Sequence, residues 1–140
     1  MGKALIQKHK VEFCECDMFK NVHNSKIFVW FERARFEIAK RVKLTEMQGI
    51  DGEDGYYFPV VEAECEFLEP ITIGMNTIIK TELERPDVAK LKFNHVIENR
   101  KTGAILVKAY TVVSVCSRRK GLLLNLTEEM QRLIDKYLDE

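Results

Sequence analysis

Apolar and polar positions recur with two different periods along this chain, and the change of period divides it into elements. Residues 10–16 set Val11, Phe13 and Glu15 against Glu12, Cys14 and Cys16, which predicts a strand ending at Asp17. From residue 25 to about 44 the steps become three and four, and Ile27, Phe31, Ala34, Ile38 and Val42 make one stripe of a helix. Asn24 or Ser25 can cap its start. Phe28, Val29, Trp30 and Phe36 add apolar surface on other sides of the same segment, so the first half of the helix reads as largely enclosed, with a sheet wrapped around it.

Residues 49–55 (GIDGEDG) are a turn-rich break, and the chain after it is almost wholly β in character. Val61, Ala63, Cys65 and Phe67 alternate with Glu62, Glu64 and Glu66, which predicts one core face and one acidic face. Pro70 and Gly74 close that strand. Further runs over 76–84, 90–99 and 104–116 are separated by Arg85-Pro86-Asp87 and Arg100-Lys101-Thr102-Gly103, loops short enough to make the neighbours antiparallel. Thr127 caps a last helix, with Glu128 and Glu129 in its first turn and Met130, Leu133, Ile134 and Leu138 as its buried stripe.

Strands that cluster after the long helix, instead of alternating with it, define an α+β arrangement. The expectation is an antiparallel sheet of five or six strands wrapped around one long central helix, with a C-terminal helix, all in one domain spanning residues 1–140. One helix leaves part of such a sheet uncovered, which predicts a homodimer or homotetramer.

Composition narrows the chemistry. Apolar residues make up 46% and charged residues 31%, a balance that folds, and 22 basic against 22 acidic residues give no global field for nucleic acid. Residues 1–10 mix lysine with single apolar residues, and no stretch approaches the ~20 apolar residues of a membrane span. The expected location is cytoplasmic. Cys14, Cys16, Cys65 and Cys116 lack paired CxxC spacing and read as small thiols, although Cys14 and Cys16 would share a face of the predicted strand. The histidines form no HxxxH or HExxH pair, so no metal is expected. A glycine-rich phosphate loop and a Gly-x-Ser-x-Gly elbow are both absent. His95 alternates with Leu91, Phe93 and Ile97 and reads as a satisfied core histidine.

The segment VEFCECDMFKNVHNSKIFVWFERARFE, residues 11–37, is similar to the opening of the 4-hydroxybenzoyl-CoA thioesterase family of the hotdog superfamily. In that family a strand ends in Asp, a glycine-bearing loop follows, and a helix reads like YxxxFExAR. The matching residues are Asp17, the loop 18–22, His23 with Asn24, and Phe31-Glu32-Arg33-Ala34-Arg35. Phe58-Pro59-Val60-Val61-Glu62-Ala63 and Phe67-Leu68-Glu69-Pro70-Ile71 resemble the second strand and its turn, which carries the likeness to about Cys116. There are departures. Lys20 stands where the family usually has Gly, Cys16 where it usually has Thr, and Gly74-Met75 where it usually has Gly-Asp.

The resemblance implies hydrolysis of an acyl-CoA or acyl-carrier-protein thioester, with coenzyme A as part of the substrate and no other cofactor. Asp17 would act as general base or nucleophile, and backbone amides at the helix start would hold the oxyanion. His23 and Asn24 would supply side-chain donors. Ser25, Phe28, Phe31, Tyr57 and Phe58 are candidates for the acyl slot, although the aromatics can equally be core. Arg118 and Arg119 could grip the coenzyme phosphates, against the plainer reading of a solvated turn. Glu32 matches a catalytic position of a separate hotdog lineage, yet ordinary helix ion pairs explain it as well. The competing reading is a non-catalytic acyl-thioester sensor or scaffold of the same fold; a hydratase is disfavoured by the loop from Asp17 to His23.

Overall fold

The computed structural model describes residues 3–47 and 55–140, so the break expected at 49–55 lies outside the described residues apart from Gly55. In chain order the elements are β1 (Ala4–Lys10), α1 (Asn24–Val42), β2 (Tyr56–Tyr57), β3 (Val60–Phe67), β4 (Asn76–Leu83), β5 (Lys90–Asn99), β6 (Ile105–Ser114), β7 (Cys116–Ser117), β8 (Gly121–Leu122) and α2 (Glu128–Asp139). Single 3₁₀ turns occupy Phe13–Glu15 and Leu44–Met47. The main sheet has five antiparallel strands in the order β1-β4-β5-β6-β3, and β2-β7-β8 form a small second sheet.

The predicted stripe of α1 is its buried face, with Trp30 added. Its first half packs Ile27, Trp30 and Phe31 against Ile79, Ile97 and Val107 of three neighbouring strands. Its second half packs Ala34, Ile38 and Val42 against Leu83, Leu91, Phe93 and Val113, where α2 adds Met130, Ile134 and Tyr137. Burying an aromatic such as Phe31, which is fully enclosed, contributes on the order of 3–5 kcal/mol against truncation to alanine. Thr127 caps α2 as expected, its Oγ1 accepting from the Met130 amide at 3.2 Å. Arg85, in the β4–β5 turn, clamps the other end through Asp135 and Asp139.

Four expectations are corrected. The first strand is Ala4–Lys10, and 10–16 is not a strand: after Val11 the chain turns through Phe13–Glu15. A reciprocal contact within that turn, the Glu12 amide to Glu15 Oε1 at 2.9 Å, replaces ladder bonds. Cys14 and Cys16 consequently share no strand face, Cys14 being exposed and Cys16 half-buried. Second, His23 is the N-cap residue of α1, and its side chain makes no capping bond. Third, the first half of α1 is enclosed on one side only: Trp30 is buried, but Phe28 and Val29 are exposed, as is Phe36 in the second half, by 58%.

The fourth concerns β3, whose expected core face of Val61, Ala63, Cys65 and Phe67 is exposed except for half-buried Cys65. The cause is position. Five strands about 4.8 Å apart span roughly 20 Å, whereas one helix with its side chains is about 10–12 Å across. The helix lies toward the β1 side of the sheet, in the core with Leu5 of β1 and with residues of β4, β5 and β6, and β3 at the far edge lies beyond it.

Candidate active site

The segment between β1 and α1 closes on itself through backbone bonds. The Asp17 amide donates to the Asn21 carbonyl at 2.8 Å and the Lys20 amide to the Asp17 carbonyl at 3.0 Å, which makes a tight turn of residues 17–20. Cys16 and Val22 pair across its base, and Asn21 pairs with Thr72 of the β3–β4 connection. Lys20 takes φ +66, the left-handed conformation that glycine adopts without steric cost. Lys20 thus holds, with a side chain, a backbone conformation that favours glycine.

Asp17 is half-buried, and its carboxylate is divided in use. Oδ1 accepts from the Phe19 amide at 2.8 Å and the Asn21 amide at 3.2 Å. Oδ2 has no protein donor among the described residues. One oxygen fixes the loop, and the other is left for solvent or a ligand. The same loop delivers the chain to the start of α1, where the amides of Asn24 and Ser25 have no acceptor among the described residues, as the first turn of a helix requires. A cleft of about 300 Å³ opens here between Asn21, Asn24 and Ile27 on one side and Phe67, Leu68 and Pro70 on the other.

Of the expected site residues Asn24 lines this cleft, and Asp17, His23, Ser25 and Phe28 do not; Asp17 stands in the loop that leads to it. His23 is exposed, and its imidazole makes no hydrogen bond among the described residues; its backbone is engaged, the amide donating to the Glu15 carbonyl at 2.9 Å and the carbonyl accepting from the Lys26 amide at 3.0 Å. Ser25 and Phe28 lie on the exposed side of the first turns of α1, with Phe28 edge-on to Phe31 at 6.1 Å. Phe31 itself is core and lines no slot: it is fully buried and stacked on His95 at 4.2 Å. His95 is buried as the alternation required, its Nδ1 and Nε2 each 3.0 Å from the hydroxyls of Thr81 and Thr111.

Tyr57, Phe58, Arg118 and Arg119 belong to the other end of the molecule. Along β6, Val107 packs with the first half of α1 and Val113 with the second; the chain then runs on through β7, which pairs with β2. The guanidinium of Arg118 stands over the Tyr57 ring at 5.3 Å, and the amides of Arg119 and Lys120 are held by Ser117 Oγ in the β7–β8 turn. Phe58 lines a separate cleft of about 240 Å³ against Phe36, Leu91 and Phe93, with Glu32 and Arg35 at its rim. Burial pulls the Arg35 pKa down, with Glu32 opposing the shift. Within one chain, then, Asp17 and the basic turn are separated by most of the length of β6.

The residue that sequence reading missed is Glu15. It is buried, and its carboxylate accepts from His9 Nε2 at 2.8 Å, the Glu12 amide at 2.9 Å and Trp30 Nε1 at 2.7 Å. Burial alone would raise its pKa, but these hydrogen bonds and the neighbouring His9 hold it below the ordinary carboxylate value. The available signal was a carboxylate on the apolar side of an alternation, beside Val11 and Phe13.

Solved structures share this architecture. A 1,4-dihydroxy-2-naphthoyl-CoA thioesterase from Synechocystis superposes with a TM-score of 0.80 over 99% of both chains at 17% identity. A probable thioesterase from Bartonella henselae gives 0.75 over 89% of this chain and 100% of the other at 19% identity. A 12:0-ACP thioesterase from Umbellularia californica gives 0.80 at 12% identity, covering 96% of this chain and 50% of the other. At these identities the likeness is one of fold, the hotdog arrangement of a sheet about a central helix. No curated protein matches in sequence. The family model of the thioesterase-like superfamily, however, matches residues 11–134, from the start of the Asp17 segment into α2; this chain belongs to the thioesterase-like superfamily.

Proposed function

We propose that this protein hydrolyses an acyl-CoA or acyl-carrier-protein thioester to a carboxylic acid and a thiol, with Asp17 as its catalytic carboxylate. Family membership supports acyl-thioester hydrolysis in general. The observation that carries the assignment to Asp17 is its divided carboxylate, with Oδ1 held by two loop amides and Oδ2 unengaged among the described residues, one short loop before the free amides of α1. Oδ2 takes a proton from water as the water oxygen adds to the thioester carbon, or adds to that carbon itself. In either route the carbonyl oxygen gains negative charge, and the Asn24 and Ser25 amides are the donors nearest in the chain to receive it. Collapse breaks the C–S bond and expels the thiolate; the base route then leaves the carboxylic acid directly, whereas the nucleophile route leaves a mixed anhydride on Asp17 that water hydrolyses to the acid and the free carboxylate. Asn24 orients the thioester oxygen or the water, and His23 offers a further donor from the loop rim.

Two copies complete the site in this reading. β3 is one of the two edge strands of the main sheet, β1 being the other, and it carries exposed Val60, Val61 and Phe67; such an edge invites a second strand. Antiparallel β3–β3 pairing about a two-fold axis sets Val60 of one copy near Phe67 of the other. Phe67 borders the cleft beside Asn24. Tyr57, Phe58, Arg118 and Arg119 of the second copy would then approach Asp17 of the first, with the arginines suited to coenzyme phosphates.

The test is thiol release from a panel of acyl-CoAs by the native protein and by Asp17→Asn, which keeps Oδ1 as an acceptor for the loop. Loss of about 10²–10⁴-fold in kcat with an unchanged melting temperature supports the assignment. Tight acyl-CoA binding without thiol release by the native protein would favour the sensor reading instead.

A further inference from the structure

Glu15 holds both ends of the Asp17 loop. Its carbonyl accepts from the His23 amide at 2.9 Å, at the threshold of α1. Its carboxylate reaches three other places: His9 on β1, the Glu12 amide in its own turn, and Trp30 two turns into α1. Only residues 16–22 lie between the two ends of this clamp, and Asp17 is among them.

The chemistry of the clamp permits one arrangement. A carboxylate accepts only, and an indole N–H and a backbone amide donate only. His9 must therefore carry its proton on Nε2, because Glu15 Oε1 has none to give. Trp30 is buried and its ring lies 4.7 Å from that of half-buried His9, so the indole cannot swing away without opening the core. A buried network of this kind is rigid when every member is satisfied and costly when one is not.

We infer that Glu15 is a positioning residue for the site: it sets where the Asp17 carboxylate stands relative to the first-turn amides of α1. Asp17 is tied to the loop it sits in, through Phe19 and Asn21, and the loop is tied to the helix start through Glu15 and the Cys16–Val22 bridge. Misplacement by about 1 Å of a reacting group can cost on the order of 10²-fold in rate. The effect on rate rests on the thioesterase reading given above; the effect on loop order does not.

Two variants test it. Trp30→Phe keeps an aromatic ring in the core and deletes one donor, and Glu15→Gln keeps the shape while setting an NH₂ group against a donor. Each is assayed for kcat and KM on the best acyl-CoA, and for amide hydrogen exchange at Asp17, Asn21 and His23, with β5 amides of the same molecule as internal reference. The expected result is a kcat lower by about tenfold or more with KM within about twofold. Loop amides should exchange about tenfold faster while β5 is unchanged. In an Asp17→Asn background Glu15→Gln should add no further loss, as for residues that act as a unit. Unchanged loop exchange in Trp30→Phe, or full additivity with Asp17→Asn, overturns the inference. If the native protein releases no thiol at all, the thioesterase reading falls, and exchange in Trp30→Phe still decides the role of Glu15.

Discussion

The indole nitrogen of Trp30 donates to Glu15 Oε2 at 2.7 Å, joining the middle of the buried helix face to the turn before the Asp17 loop. This bond, with those from His9 and the Glu12 amide, overcomes the burial that would otherwise raise the Glu15 pKa and keeps it below the ordinary carboxylate value. A folded-state pKa below the unfolded one means that the unfolded chain binds the proton first as pH falls. The stabilisation is therefore complete above the unfolded carboxylate value near 4.5 and lost as pH drops through the folded value. Glu15→Gln should cost about 1.5–3 kcal/mol at pH 7, the range for hydrogen bonds to a charged group. The gap from native should narrow in urea titrations repeated at pH 4 and below.

His95 should stay neutral through the physiological range. Burial first, and then the charge of Arg35, push its pKa down to about 3. The unfolded chain takes up this proton near pH ~6.5, so His95 makes the fold less stable as pH falls from there toward about 3. The loss can reach ~1.4 kcal/mol per pH unit. In the NMR spectrum the His95 ring protons should show no titration between pH 8 and pH 5; a midpoint in that interval would contradict the enclosed Thr81–His95–Thr111 arrangement.

Lys20 stands at φ +66 on an exposed loop, where a side chain strains the backbone and makes no compensating bond of its own among the described residues. Lys20→Gly should raise stability by roughly 0.5–1 kcal/mol in chemical denaturation. A decrease would mean that the lysine side chain holds the loop through contacts other than its backbone conformation.

A charge on the open edge should separate copies of the chain. Val61→Lys on β3, 53% exposed in one chain, should leave the melting curve of the monomer nearly unchanged, as surface substitutions stay within about 0.5 kcal/mol. In sedimentation it should shift a native dimer to monomer. A mass that is unaffected would remove β3 as the pairing edge.

Where a local period decided the structure, the chain could be read directly. Ile27, Phe31, Ala34, Ile38 and Val42 recur at helical steps and are the buried face of α1; the run 90–99 alternates and is β5 to the residue; Thr127 caps α2 through a hydroxyl that reaches only its own first turn. The Asp17 loop was legible through likeness to a family, and its departure at Lys20 falls where the backbone takes a positive φ. Tertiary structure alone decided the rest. Glu15 alternates with Val11 and Phe13 as a strand residue would, but Trp30, fifteen residues on, draws it into a turn. The alternation of β3 is the same whether or not a helix covers it, and the sheet order that makes it an edge arises from pairings between distant segments. The separation of Asp17 from Arg118 likewise follows from the full run of β6 between the two halves of the core. Periodicity is a property of neighbours along the chain, and enclosure is a property of neighbours in space.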